Sequence, residues 1–415
     1  MPQLIRQVYV FVPGSPHHGQ TTDLLLDNGT IARIGRDLPA GDNCREIRVP
    51  GLCVSPGWLD LFGACGEPGL EHREDFATAA RAAYAGGFRA VCLLPNTRPA
   101  LHGKSEIGLV RSAKVDAPVE LLPLGAITRH CEGTEPAEIY DMHAAGAVAF
   151  TDGKNPVQHA GVMLRALQYT KPFSGLVIQS PLDKQLGGGG HLHEGRTSTL
   201  LGLRGLPALA EEVMVQRDLR LLEYTESRLH LANLSTAESV ALVREAKARG
   251  LAVTASVNPM NLFFTDEALL DFDPYLKVMP PLRDESHRQA LIAGLLDGTI
   301  DCFVSNHIPL DPESKELEFP HASFGAIGWE TAFAALRTAL WDVLSWEKIV
   351  QKLAVEPWKI LGLEPPAIAE GQPDRLTFFL PDEPWTFTGA DVRSKSHNSP
   401  FIGQSFRGKP FSLNL

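Results

Sequence analysis

The hydrophobic pattern of this chain changes character near residue 54. Before that point short apolar runs are punctuated by turn residues. In Thr22-Asp23-Leu24-Leu25-Leu26-Asp27-Asn28-Gly29-Thr30-Ile31-Ala32-Arg33-Ile34 an Asn-Gly pair between two such runs predicts a hairpin of small antiparallel strands. From Val54 to about Leu361 brief apolar runs alternate with helical stretches, the rhythm of parallel α/β structure. Strands are predicted at 90–94, 119–124, 147–151, 175–178, 228–232, 252–257 and 300–305, with one more ending at Leu61. Eight such units predict a (β/α)8 barrel over residues 54–361. Residues 1–53 and 362–415 are left to form a small β domain from the two ends of the chain.

A barrel of this kind carries its chemistry just after the strands, so those positions are the candidates for any site. They read Phe62 and Ala64, Asn96, Asp152, Gln179, Asn233 and Asn306. Only Asp152 is a good metal ligand. A phenyl ring and a methyl group offer no lone pair, and a carboxamide has no titratable lone pair near neutral pH with which to act as a base.

The stretch Asp60-Leu61-Phe62-Gly63-Ala64-Cys65-Gly66-Glu67-Pro68-Gly69 resembles the signature of the dihydroorotase family, Asp-x-His-x-His-x-Arg-Glu-Pro-Gly. Other landmarks follow in the family's order: Leu94-Pro95-Asn96-Thr97-Arg98-Pro99, Ala149-Phe150-Thr151-Asp152-Gly153, Lys277-Val278-Met279-Pro280-Pro281-Leu282-Arg283, and a closing Ser394-Lys395-Ser396-His397-Asn398-Ser399-Pro400-Phe401. The resemblance implies a barrel of the amidohydrolase type whose zinc, base and carboxylate-binding groups have been replaced. Phe62 and Ala64 stand where the family has zinc-binding histidines, as do Gln179 and Asn233. Asn306 stands for the aspartate that binds metal and moves the proton. Gly66, Met279 and Leu310 replace the arginine, asparagine and histidine that hold substrate, while Asn96 is kept. Pro259-Met260-Asn261-Leu262 stands for Pro-His-His-Leu, and His230 is retained beside the lost ligand at Asn233.

Some members of the family are non-catalytic subunits that assemble with the aspartate transcarbamoylase catalytic chain. The resemblance implies such a part here: a homodimeric structural partner in pyrimidine biosynthesis, without zinc. Two other readings stand beside it. One is an active dihydroorotase or cyclic-amide hydrolase with a displaced metal site, in which Asp152 and His307 join Cys65 or Cys302. The other is a small-molecule sensor using an apolar pocket around Phe62, Met279 and Leu310.

The remaining features narrow the picture little. A net charge of −11 over 415 residues argues against nucleic acid or an anionic membrane as partner. No stretch is apolar for long enough to span a bilayer, and no signal-like N-terminus precedes the first strand, so a cytoplasmic location is expected. The six cysteines show no CxxC spacing and are expected as reduced, mostly buried thiols. His191-Leu192-His193-Glu194 follows Gly187-Gly188-Gly189-Gly190, which predicts a mobile, solvent-exposed loop. The glycine run lacks a following Gly-Lys-Ser/Thr, so it is not expected to cradle a nucleotide.

Overall fold

The computed structural model describes residues 1–41 and 43–413. All eight expected barrel strands are present: Trp58–Gly63, Phe88–Leu93, Glu120–Gly125, Ala149–Phe150, Leu176–Gln179, Arg228–Leu231, Val253–Val257 and Cys302–Phe303. They lie side by side in chain order and pair in parallel. Their bounds differ from the sequence expectation by at most two residues. The eighth strand reaches the first through a parallel bridge between Gly63 and His307, with Ala64 N donating to His307 O at 2.7 Å.

Alternation along each strand sorts the side chains. Leu59, Leu61, Cys92, Leu124 and Ile178 belong to the interior cluster of the barrel, while their neighbours Val91, Leu121 and Val177 pack outward with the helices. Each crossover helix then buries its apolar face on the strands. Helix Phe76–Ala85 starts where the Asp75 side chain accepts from Thr78 N while Thr78 Oγ1 accepts from Asp75 N, a reciprocal cap that fixes its entry.

The second sheet has seven strands drawn from both ends of the chain. Thr21–Asp27 and Thr30–Gly35 form the expected antiparallel hairpin, with Asn28 and Gly29 both at positive φ as the tight turn demands. The sheet as a whole is mixed. Gln3–Val10 pairs in parallel with Arg45–Arg48 and with Cys53–Pro56, and Leu376–Thr386 and Ser405–Phe411 complete the order. The closing segment does more than finish this sheet. Asn398 accepts from Leu310 N at 3.1 Å and donates to Ile308 O at 3.0 Å, holding a loop of the barrel mouth in place. Among the described residues no helix is long and apolar enough to cross a membrane.

Candidate functional site

The strand ends converge on a mouth whose geometry rests on Asp60. Its carboxylate is fully buried and accepts from Ser305 N at 2.9 Å, Ser305 Oγ at 2.5 Å and Trp329 Nε1 at 2.7 Å. These bonds tie the first strand to the eighth and set Phe62 facing Asn306 across a cavity of about 190 Å³. Met279, Ile308, Phe324 and Lys154 complete much of its wall. Leu310, expected in the same wall, is instead buried behind it, where its backbone meets Asn398.

Where an anchoring arginine is expected from the resemblance, Gly66 leaves no room for any side chain. A Cβ there would lie 2.0 Å from Leu70 O and 2.6 Å from Glu74 O, and the turn is locked by Gly66 N donating to Glu74 O at 2.9 Å. The backbone has closed over that position.

Asn233 and Asn306 both adopt left-handed backbone conformations, which asparagine tolerates better than most residues. Their side chains join an amide chain. Asn306 Nδ2 donates to Met279 O at 2.9 Å, and its Oδ1 accepts from Asn233 at 3.4 Å. Asn258 bridges Asn233 at 3.3 Å and Asn261 at 2.8 Å, and Asn261 ends the chain on Pro281 O at 2.9 Å. Every link uses a neutral donor and a neutral acceptor, which leaves the mouth with no carboxylate or imidazole at these positions.

The other candidates are occupied elsewhere. Ile178 faces the barrel interior, so Gln179 next to it points outward, donating to Asp218 at 3.3 Å. Asp152 is fully buried with both oxygens taken, one by Thr128 N at 2.9 Å and the other by Thr128 Oγ1 at 2.5 Å; burial still pushes its carboxyl up to about 6. Asn96 braces the same turn, donating to Asp152 O and accepting from Lys154 N. His307 stacks on Trp329 with centroids 3.8 Å apart and accepts from Gly328 N, deep in the wall. His230 bridges Thr254 and Ser256 inside the barrel, where burial lowers it to about 3. Cys65 and Cys302 are buried thiols raised well above their ordinary range. Asp152, His307, Cys65 and Cys302 form no cluster among the described residues.

The donor set of the mouth therefore does not fit a zinc ion: three or four ligands must converge, and Asp152 is bonded to Thr128, Asp60 to Ser305 and Trp329, and His307 to Gly328 N, with no three of them brought together among the described residues.

The segment 191–194 departs from the exposed, mobile loop expected of it. Leu192–His193 pairs in parallel with Gly205–Leu206, and both residues are buried. The cause lies far along the chain: Arg283 donates to His193 Nδ1 at 3.0 Å and to Leu206 O at 3.0 Å, clamping both short strands. His193, Asp284 and His287 come close enough to hold a metal. Their hydrogen bonds oppose it. Arg283 donates to Nδ1 of His193 and Ala237 N to Nδ1 of His287, so each neutral ring carries its proton on Nε2 and has no second lone pair to give.

Burial and the neighbouring Arg283 push His193 down to about 4. Its neutral form stabilises the fold fully above pH 6.5, and that contribution is lost as pH falls from about 6.5 towards 4. The expected result is that wild type loses about 2 kcal/mol relative to His193→Gln between pH 7 and pH 5. Comparison with the variant isolates this group from Asp152 and Asp218, which burial raises to about 6 and which act in the opposite direction. Urea denaturation at the two pH values provides the measurement; a constant difference between the two proteins would show that His193 is not held neutral.

The dihydro-orotase-like family profile matches residues 51–239. Curated relatives extend the likeness to nearly the whole chain. The dihydroorotase of Pelotomaculum thermopropionicum is 42% identical over 392 residues, covering 94% of this chain and 92% of that protein. The dihydroorotase of Syntrophus aciditrophicus is 38% identical over 410 residues, covering 98% and 96%. Among solved structures, the L-hydantoinase (dihydropyrimidinase) of Arthrobacter aurescens superimposes with a TM-score of 0.84 at 23% identity, covering 98% of this chain and 93% of that one. That likeness extends to the fold alone.

Proposed function

The chain belongs to the dihydroorotase-like family of pyrimidine biosynthesis, and we propose that it is a non-catalytic member of that family, a reading supported by the lack of a metal-ligating cluster at the barrel mouth among the described residues. In this reading it binds no zinc and serves as a structural subunit, a homodimer that docks on the aspartate transcarbamoylase catalytic chain. The observation that carries it is the amide chain from Asn306 through Asn233 and Asn258 to Asn261, closed on Met279 O and Pro281 O. A metal and a proton-transferring carboxylate belong at this place by resemblance. Here the groups satisfy one another, so the mouth is chemically complete without either. A scaffold needs barrel stability and surface shape, and both survive the loss of ligands.

The reading is tested by mixing the separately purified chains with and without chelator and following mass and transcarbamoylase activity. Assembly is expected at micromolar concentration and is expected to be insensitive to chelator. No complex, or a transcarbamoylase fully assembled and active alone, would reject the scaffold role.

The curated relatives are named dihydroorotases, which favours a second reading, an active enzyme with a rearranged site. It predicts stoichiometric zinc after growth in zinc-supplemented medium. Elemental analysis of the purified chain separates the two.

A further inference from the structure

The glycine run Gly187–Gly190 has no part in the barrel site, yet it lines a second cavity, of about 470 Å³, immediately outside the mouth. The two cavities share Leu182, Met279 and Phe324 as their common wall. The outer one is lined by Lys184, Lys277 and His191 and includes no aspartate or glutamate. His191 is held neutral by burial and by the cations around it, and Arg204 adds a third cationic group, its guanidinium lying over Gly189, where a Cβ would meet Nη1 at 3.0 Å. In a chain of net charge −11, so many cations around one hollow without a carboxylate is a local reversal of the protein's field.

Lys277 makes the reversal costly. It is only 3% exposed, and its ammonium donates to Phe319 O at 2.8 Å and Pro320 O at 3.0 Å, with Phe324 beneath it at 4.9 Å. With His191 Nδ1 as a third acceptor at 3.4 Å, neutral groups satisfy its protons and leave its charge uncompensated, and burial lowers its pKa to about 8. A second buried lysine stands behind it: Lys315 donates to Lys277 O at 2.9 Å and to Ser323 O at 3.0 Å. In the glycine run Gly187 N is bonded to Asp183 O and Gly190 N to Gly187 O, and Gly188 closes the short helix Lys184–Gly187, whereas Gly189 N meets no acceptor among the described residues. A backbone donor and ammonium groups around one hollow are complementary to a compact, multiply charged oxyanion.

We propose that this outer cavity is a binding site for a phosphate group, held by Lys277, Lys184 and the Gly189 N–H. The site is not a nucleotide loop of the Gly-Lys-Ser/Thr kind, since no long helix begins at the run. It is also independent of the barrel mouth and of any docking to another chain.

The test uses the full-length protein alone and inorganic phosphate as probe, followed by calorimetry and phosphorus NMR, with glycerol 3-phosphate as a second arm. One phosphate per chain is expected. Lys184→Met and Lys277→Met should each weaken it at least about tenfold, which corresponds to about 1.4 kcal/mol. Phe62→Trp, which fills the inner cavity, should leave it unchanged. Tighter binding of glycerol 3-phosphate than of inorganic phosphate would identify a phosphorylated metabolite as the natural occupant; equal binding would identify free phosphate. Lys184 is exposed, so Lys184→Met keeps the test decisive should Lys277→Met fail to fold. No binding at millimolar phosphate, or binding unaltered by Lys184→Met, would overturn the proposal. None of these readouts depends on catalysis or on a partner chain, so this inference and the scaffold reading fail separately.

Discussion

The purified protein is expected to show no dihydroorotase turnover in either direction above a mock-purified control, and Asn306→Asp is expected not to restore it. General acid–base catalysis alone contributes about 10²- to 10⁴-fold, and only when the base, the metal and the substrate clamp act together. An aspartate at position 306 would replace one part. It would also break the amide chain, because its carboxylate could no longer donate to Met279 O. The remaining positions, Phe62, Ala64 and Asn233, still supply no ligand, and Gln179 faces Asp218 rather than the mouth. The carboxylate clamp is harder still to rebuild, since any side chain at Gly66 must first push back the carbonyls of Leu70 and Glu74. Turnover by wild type that survives the mock control, measured by absorbance on dihydroorotate, would contradict the non-catalytic reading.

Asp60→Ala is expected to cost about 3–5 kcal/mol of folding stability, since several buried donors lose their acceptor at about 1–3 kcal/mol each. The carboxylate accepts from Ser305 N, Ser305 Oγ and Trp329 Nε1, and no water can reach the donors it would abandon. Those bonds join the first and eighth strands, so their loss is expected to open the barrel where it closes. Asp60→Asn keeps the shape and one acceptor oxygen and should cost less. Denaturant titration of the three proteins checks the order, and a cost below about 1 kcal/mol for Asp60→Ala would show that closure rests on the surrounding apolar packing instead.

Much of the architecture was legible because it is written locally. Strand alternation and glycine-punctuated turns marked all eight barrel strands, and Asn28-Gly29 marked its hairpin, since both signals depend on residues a few positions apart. Pairing between distant strands was not legible, and the parallel partners of Gln3–Val10 emerge only in the structure. The segment at His191 was misread for the same reason: the residue that buries it, Arg283, lies 90 positions away from His193.

The sequence by itself determined which chemistry is unavailable at the strand ends. A phenyl ring, a methyl group and three carboxamides keep their character in any fold, and this could be stated residue by residue for Phe62, Ala64, Gln179, Asn233 and Asn306. Only the tertiary structure decided what the surviving groups do. Asp152 looked like a free ligand in sequence, but Thr128, 24 positions earlier, takes both of its oxygens. Asn233 and Asn306 pair across 73 positions, and the lysines of the outer cavity come from segments nearly a hundred residues apart. Side-chain chemistry is intrinsic to a residue. Whether a lone pair is free, a charge is compensated or a hollow remains open depends on neighbours that the chain brings together only when it folds.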